Sequence, residues 1–421
     1  MRVTTAFKRL LDLPGVTVSD VEFAATTVVV TVGLRRRRLE CPECGYSTPA
    51  RYDSRPVDSR WRHLDLGVWR LEVRARLRRL VCPAHGVRTE GVPFARPGSE
   101  FSGDFEALVA WLATRTDKTA ITKLVRINWR TVGRIVERVV ADELDPGRLD
   151  GLFEIGVDEI SWRKHHNYLT LVADHHSGKV VWGAEGRDAT TLDGFFDELG
   201  TDRSAQLTAV SMDMGPAFAK SVRADGHAPQ ATICLDPFHV VALGTKALDE
   251  VRRPLWQQMR QLPDPGIAKR FKGARWALLK NPDDLTDTQA VTLTAIRRNG
   301  GAMWRAYKLK EALRAIFAGD LTETEASDMI DRWCSWAQRS RLQPFIKLAR
   351  TIRAHRDGIL AAIRLGLTNG RVEGLNNRVR LIVRRGFGFH TAGAALALVM
   401  LTCGPIELEL PHQHRPAHPH R

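Results

Sequence analysis

The feature that most constrains the fold is a change of hydrophobic period near residue 152. Before it, helical spacing dominates; after it, three closely spaced segments, residues 153–161, 168–174 and 179–184, read as strands. Ser177-Gly178, in the short link before the third, suits a hairpin turn. A helix over 191–199, a strand over 207–212, a helix over 216–223, a strand over 232–235 and a helix from His239 are expected next. Hairpin-linked strands followed by alternating helix and strand predict a mixed sheet with helices packed on it.

That order is the order of a ribonuclease-H-like α/β core. From Arg252 to about Leu365 the pattern is helical almost throughout, so an all-α insertion is expected to interrupt the core. Trp256, Trp276, Trp304, Trp333 and Trp336 are expected as its large core residues. A small β module is expected first: residues 21–34 are β-rich, and residues 67–81 alternate Leu71, Val73, Ala75 and Leu77 with Glu72, Arg74, Arg76 and Arg78. Three helices follow, with Asp104 and Asp117 as expected N-caps of the first two and the third covering 130–143. Two short helices joined tightly, the second carrying Arg130 and Arg134, fit a helix-turn-helix, although many three-helix packing units share the pattern. The expected organisation is a β/zinc module (1–97), a helix-turn-helix (98–148) and the core's first part (149–251). The helical insertion (252–365), the core's second part (366–405) and a disordered tail (406–421) complete it.

Charge narrows the partner. The formal net charge is +15, and between Arg35 and Arg88 fourteen Arg face six acids. Such a block suits a phosphate surface, because each paired Arg releases a condensed counterion. Arg35, Arg36, Arg37, Arg74, Arg76, Arg78, Arg130, Arg134, Arg380 and Arg384 are the expected DNA contacts. The first residues carry no signal-peptide pattern, and the longest apolar run, 392–403, is too short to span a membrane. A cytoplasmic protein with no membrane association is expected.

Two groups carry chemistry. Cys41-Pro-Glu-Cys44 and Cys82-Pro-Ala-His85 are two knuckles with the spacing of tetrahedral Zn²⁺ ligands, with His63 as an alternative fourth ligand. Cys234, Cys334 and Cys403 lie in apolar segments and read as core. The second group is acidic. Asp158 sits inside an apolar strand, with Glu159 beside it, and Asp213 ends the next core strand. Convergent carboxylates bind Mg²⁺ or Mn²⁺. Taken singly, a solvent-facing strand residue and a helix N-cap explain them equally well. Glu373 lies on a helix expected over 371–384, where Val372, Leu375, Val379 and Ile382 form a buried stripe. Glu373, Asn376, Asn377, Arg380 and Arg384 fall on another face, a track suited to a DNA backbone.

Cys41-Pro-Glu-Cys44-Gly45, Gly156-Val-Asp158-Glu159, Met212-Asp213-Met-Gly-Pro216, Asp236-Pro-Phe-His239-Val-Val and Asn369-Gly370-Arg-Val-Glu373-Gly-Leu-Asn376-Asn377 together resemble the transposases of the ISL-three class of bacterial insertion sequences. The resemblance implies an N-terminal zinc module, a helix-turn-helix and a DDE core with a helical insertion before its last Glu. The implied triad is Asp158, Asp213 and Glu373, holding Mg²⁺ or Mn²⁺ for two-metal phosphoryl transfer. His239, Asn376 and Asn377 would support the site. The partner would be double-stranded DNA, both transposon ends with their terminal inverted repeats and target, bound by a homodimer or larger assembly. A catalytically inactive DNA-binding regulator is the second reading. A structure-selective nuclease is the third, and it would need neither zinc module nor helix-turn-helix.

Overall fold

The structure is a computed structural model. It describes the chain to Gln413 except for residues 164–166, 320, 368–369 and 387–388; the side chains of 265, 267–268, 270 and 370–373, and all of 414–421, also lie outside the described residues. Two compact units are present, one of Met1–Asp145 with Ile382–Arg421, the other of Pro146–Leu381.

The first unit opens with helix α1 (Val3–Leu11), then strands β1 (Val16–Phe23), β2 (Thr27–Leu34), β3 (Leu39–Glu40), β4 (Ser47–Thr48) and β5 (Asp53–Ser54). β6 (Ser59–Leu66), β7 (Trp69–Ala75), β8 (Arg78–Cys82) and β9 (Gly86–Thr89) follow. A four-stranded sheet has the order β1-β2-β7-β6, and β3-β4 and β5-β8-β9 form two smaller ones. The period-two pattern decides which side is dry: Leu71, Val73, Ala75 and Leu77 are buried with Val28, Val30, Trp61 and Phe94 in one core. Three helices come next, α2 (Gly103–Arg115), α3 (Lys118–Val125) and α4 (Trp129–Glu143). Asp117 and Asn128 cap α3 and α4. The cap of α2 is Ser102 and not Asp104, because the chain enters along β6, where Ser102 N donates to the Arg62 carbonyl and its hydroxyl accepts from Phe105 N. Arg126, at φ 55° in the turn between α3 and α4, donates to Asp65 and to the Val68 carbonyl, which pins that turn to the β6–β7 hairpin.

The second unit carries β10 (Glu154–Arg163), β11 (Asn167–Asp174) and β12 (Val180–Glu185), then α5 (Ala189–Leu199) and α6 (Thr201–Ser204). β13 (Ala209–Met212), α7 (Pro216–Val222) and β14 (Thr232–Leu235) complete a five-stranded sheet of order β12-β11-β10-β13-β14. The first three strands are antiparallel; β10, β13 and β14 run parallel. Among the described residues every further element of this unit is helical: α8 (Pro237–Arg260), α9 (Pro265–Gly273), α10 (Arg275–Leu279), α11 (Asp287–Asn299) and α12 (Gly301–Ile316), joined by one short 3-10 turn, then α13 (Glu323–Arg339), α14 (Gln343–Ala354), α15 (Arg356–Leu365) and most of α16 (Gly370–Arg385). Of the five tryptophans expected inside, Trp333 is buried and donates to the Leu309 carbonyl. Trp276 is 55% exposed beneath the Arg275 guanidinium, and Trp336 is 38% exposed, so neither is core. α15 packs on edge strand β14 through small residues. A Cβ on Gly358 would lie 2.8 Å from Leu235 Cγ and 3.2 Å from the Ile233 carbonyl oxygen. Ala361 and Ala362 cluster with Ala209 and Cys234.

The last helix, α17 (Ala392–Cys403), belongs to the first unit, where it packs on α2 and α4. The chain beyond Leu381 therefore lies with the N-terminal unit, although sequence order joins it to the core's second part. The reason is non-local packing of an apolar helix. In the expected tail, Ile406 is buried and residues 410–413 form a turn closed by Leu410 N and the Gln413 side chain.

Candidate active site, metal centre and nucleic-acid face

Strand register brings the acidic residues together. Ile155, Val157, Val210 and Met212 point into the large core, so Gly156, Asp158, Ser211 and Asp213 point to the opposite side of the sheet. Gly156 pairs with Ser211 and Ser211 with Cys234 across the parallel strands. Two residues further along the chain stand Asp158, inside β10, and Asp213 and Asp236, each just past the end of its strand. Asp158 and Asp213 are close enough for the charge of one to act on the other.

Each has a different local role. Asp158 Oδ1 accepts from Glu159 N at 2.7 Å, and Oδ2 accepts from the Asn376 amide on α16. Burial pushes the Asp158 carboxyl up, and the Glu159 N–H, the Asn376 amide and His239 hold it down against Asp213. Asp158 is therefore not a solvent-facing strand residue. Asp213 Oδ1 accepts from Gly215 N at 2.8 Å in a tight turn. The N-cap of α7 is Gly215, so Asp213 is not serving as a helix cap. Asp236 is buried, caps α8 through Phe238 N and lies 3.8 Å from His239 Nε2. Glu159 is also raised, by burial and then by Asp213, with Arg187 opposing. Arg187 stacks on Tyr168, 4.6 Å from the ring, and only its place just past β12 hinted at it in the sequence.

On α16, Leu375, Val379 and Ile382 are buried as the apolar stripe requires. Asn376 is buried too and meets Asp158, so it is not on the exposed track. Asn377, Arg380 and Arg384 are exposed, with Arg380 donating to Asn377. Glu373 is three residues before Asn376, but its side chain, like that of Val372, lies outside the described residues, as does Asn369.

The second cluster is Cys41, Cys44, Cys82 and His85, whose donor atoms all lie within 4.8 Å of one another. Two chain turns build it. Gly45 at φ 70° and Gly86 at φ 69° close the knuckles, and Cys41 N donates to the Tyr46 carbonyl while Gly45 N donates to the Cys41 carbonyl. Cys44 Sγ is 3.6 Å from Cys82 Sγ, and His85 Nδ1 is 3.6 Å from Cys82 Sγ and 3.8 Å from Cys41 Sγ. Bond lengths of about 2.3 Å to sulfur and 2.0–2.1 Å to nitrogen give a tetrahedron with S···S edges of about 3.8 Å and S···N edges of about 3.6 Å. The separations fit Zn²⁺. His85 turns Nε2 toward Glu43 at 3.5 Å, as metal-bound imidazoles do. His63 is elsewhere, buried with Nδ1 2.7 Å from Ser102 Oγ.

The cationic surface is partly spent internally. Among the expected DNA contacts, Arg78 is held by Glu90 through Nε and Nη2, and Arg36 by Glu40 and the Gly91 carbonyl. Arg76 is exposed beside Asp58, and half-buried Arg74 lies 3.9 Å from Glu22. Arg35, Arg37, Arg130 and Arg134 are exposed. No helix among the described residues is long and apolar enough to cross a membrane.

Comparison with known proteins gives three family matches. Residues 155–396 match a model described as a transposase, residues 90–140 the helix-turn-helix domain of transposase family ISL3, and residues 37–85 the zinc-finger of transposase IS204/IS1001/IS1096/IS1165. The chain is similar to the transposase for insertion sequence element IS1557 of Mycobacterium tuberculosis, 41% identical over 442 residues and covering 98% of each chain. It is also similar to the transposase for insertion sequence element IS1001 of Bordetella parapertussis, 28% identical over 355 residues, covering 83% of this chain and 85% of that one.

Proposed function

As the chain belongs to the ISL3 family of insertion-sequence transposases, we propose that Asp158, Asp213 and Glu373 are the carboxylates with which it cuts DNA. It is a DNA transposase, a metal-dependent DNA-cleaving enzyme. The observation that supports the residue assignment is the placement of Asp158 in β10 and of Asp213 just past the neighbouring β13, each within reach of the other's charge, with Asn376 of α16 bonded to Asp158. Glu373 comes three residues before Asn376 in the chain of that helix.

Mg²⁺ or Mn²⁺ held by these carboxylates would supply Lewis acidity for in-line attack on a DNA phosphate. The protein's own groups set up that chemistry. Asn376 and the Glu159 N–H favour the charged form of half-buried Asp158 against the burial that pushes its carboxyl up, and Asp236 anchors the start of α8 beside His239. Three antiparallel strands followed by two parallel ones support a ribonuclease-H-like core, with the helices between β14 and α16 as its insertion. Cys41, Cys44, Cys82 and His85 would hold a structural Zn²⁺. The α2–α4 unit would bind terminal inverted repeats, within a dimer or larger assembly.

The test is Mg²⁺- or Mn²⁺-dependent cleavage of repeat-ended duplex DNA. Asp158→Asn, Asp213→Asn and Glu373→Gln proteins are expected to bind that duplex normally and to leave it uncut. Cleavage at the wild-type rate by any of them would remove that residue from the site.

A further inference from the structure

We propose that His390 forms part of the DNA-reading surface, contacting base edges beside the N-terminus of α4. This rests on reading α3 and α4 as the helix-turn-helix.

The DNA-binding unit is not built from contiguous chain, since Ile382–Arg421 belongs to it. α17 has apolar residues on every side and is enclosed, with Val399 and Leu401 buried. Before it, Arg385 donates to the Thr114 carbonyl near the end of α2 at 3.2 Å. Phe389 is buried and anchors the segment; His390, its neighbour, is exposed. The imidazole lies against the indole of Trp129, with ring centroids 5.3 Å apart and planes 36° from parallel. Trp129 is the first residue of α4 and stays 42% exposed. Lys118 Nζ sits 5.5 Å from the same ring. A cation and an imidazole thus both lie against Trp129 at the start of α4.

Around them, Lys123, Asn128, Arg130 and Arg134 are exposed. In a helix-turn-helix the first residues of the second helix reach base edges in the major groove, while flanking cations hold phosphates. An imidazole adds a donor and an acceptor at that place, the groups a base edge is read with. The charge of the surface and its location select duplex DNA as the partner.

The full-length protein is titrated with a duplex carrying the inverted repeat that flanks the coding sequence, and with a scrambled duplex. His390→Ala is expected to weaken repeat binding about tenfold and to leave scrambled binding and the melting temperature unchanged. His390→Phe, which keeps the ring stack without its nitrogens, should behave like His390→Ala. Wild-type repeat affinity in His390→Ala overturns the proposal, and so does rescue by Phe, which would make the ring a prop for Trp129. Equal weakening on both duplexes overturns it as well. Arg130→Ala should weaken binding to both. If Arg130→Ala binds both as wild type does, α4 is not at the DNA and the proposal falls with that reading.

Discussion

Replacing Cys82 with Ser tests how the zinc-binding module is held together. Its own apolar cluster consists of Leu39, Cys41, Leu80 and Cys82, and two of those four belong to the proposed ligand set. Full burial of the two leucines contributes about 3–6 kcal/mol together. A structural Zn²⁺ contributes about 10–16 kcal/mol in small zinc modules, so the metal outweighs the apolar term roughly threefold. Removing one thiolate should therefore release β3, β4, β5, β8 and β9 locally. The β1-β2-β7-β6 sheet should survive, because Val28, Val30, Leu71 and Val73 form a separate core that contains no ligand. The assay is zinc content by elemental analysis with amide hydrogen exchange read by mass spectrometry. Wild-type protein should carry one zinc per chain, and Cys82→Ser none, with protection lost over 39–48, 52–55 and 78–89 alone. His85→Ala should match it, whereas His63→Gln should keep its zinc. Retained zinc in Cys82→Ser, or wild-type protection in metal-free protein, would refute the reasoning.

Other outcomes follow from the same geometry. Asn376→Leu removes the hydrogen bond that favours the carboxylate form of Asp158, about 1.5–3 kcal/mol, so cleavage should slow roughly 10- to 100-fold with DNA affinity unchanged; a wild-type rate would show that the bond does not matter to the reaction. Glu106 is fully buried between Arg96, Arg138 and Ser99, so the double change Arg96→Met and Arg138→Met should destabilise the unit by about 3–5 kcal/mol in urea unfolding. A loss below 1 kcal/mol there would mean that water reaches the carboxylate. Burial pushes the Cys234 thiol up to about 11, so alkylation at pH 8 in the presence of a chelator should tag Cys41, Cys44 and Cys82 and spare Cys234. Tagging of Cys234 at a similar rate would place it outside the core.

The strands of the core were legible because apolar runs bounded by turn residues leave few alternatives, and Thr232–Leu235 appears where the sequence predicts it. The nearness of Asp158 to Asp213 was legible only as shared context, since it depends on which strands become neighbours. Asn376 shows the limit of a helical wheel, which tells which residues share a side and not what the side faces. Arg78 shows the same limit in a strand, where a guanidinium aimed at DNA and one locked onto Glu90 share one pattern. Asp104 and Ser102 are both competent caps, and the choice was made by β6, which bonds to the chain at Ser102. Trp276 and Trp336 stayed outside because large apolar residues are not obliged to be buried. The place of α17 depends on packing against residues more than 250 positions earlier, beyond the reach of any local signal.

Gly358 carries no chemistry, yet the spacing of α15 from β14 depends on the side chain it lacks. A methyl group there would meet Leu235 and the Ile233 carbonyl, and α15 would have to ride outward just before the chain reaches α16. Metal-directing carboxylates work within about 0.5 Å of their productive positions. In a saturation screen for transposition, Gly358 should thus score alongside the acidic residues while its variants still bind DNA. It is a shim, a part whose thickness is its whole purpose.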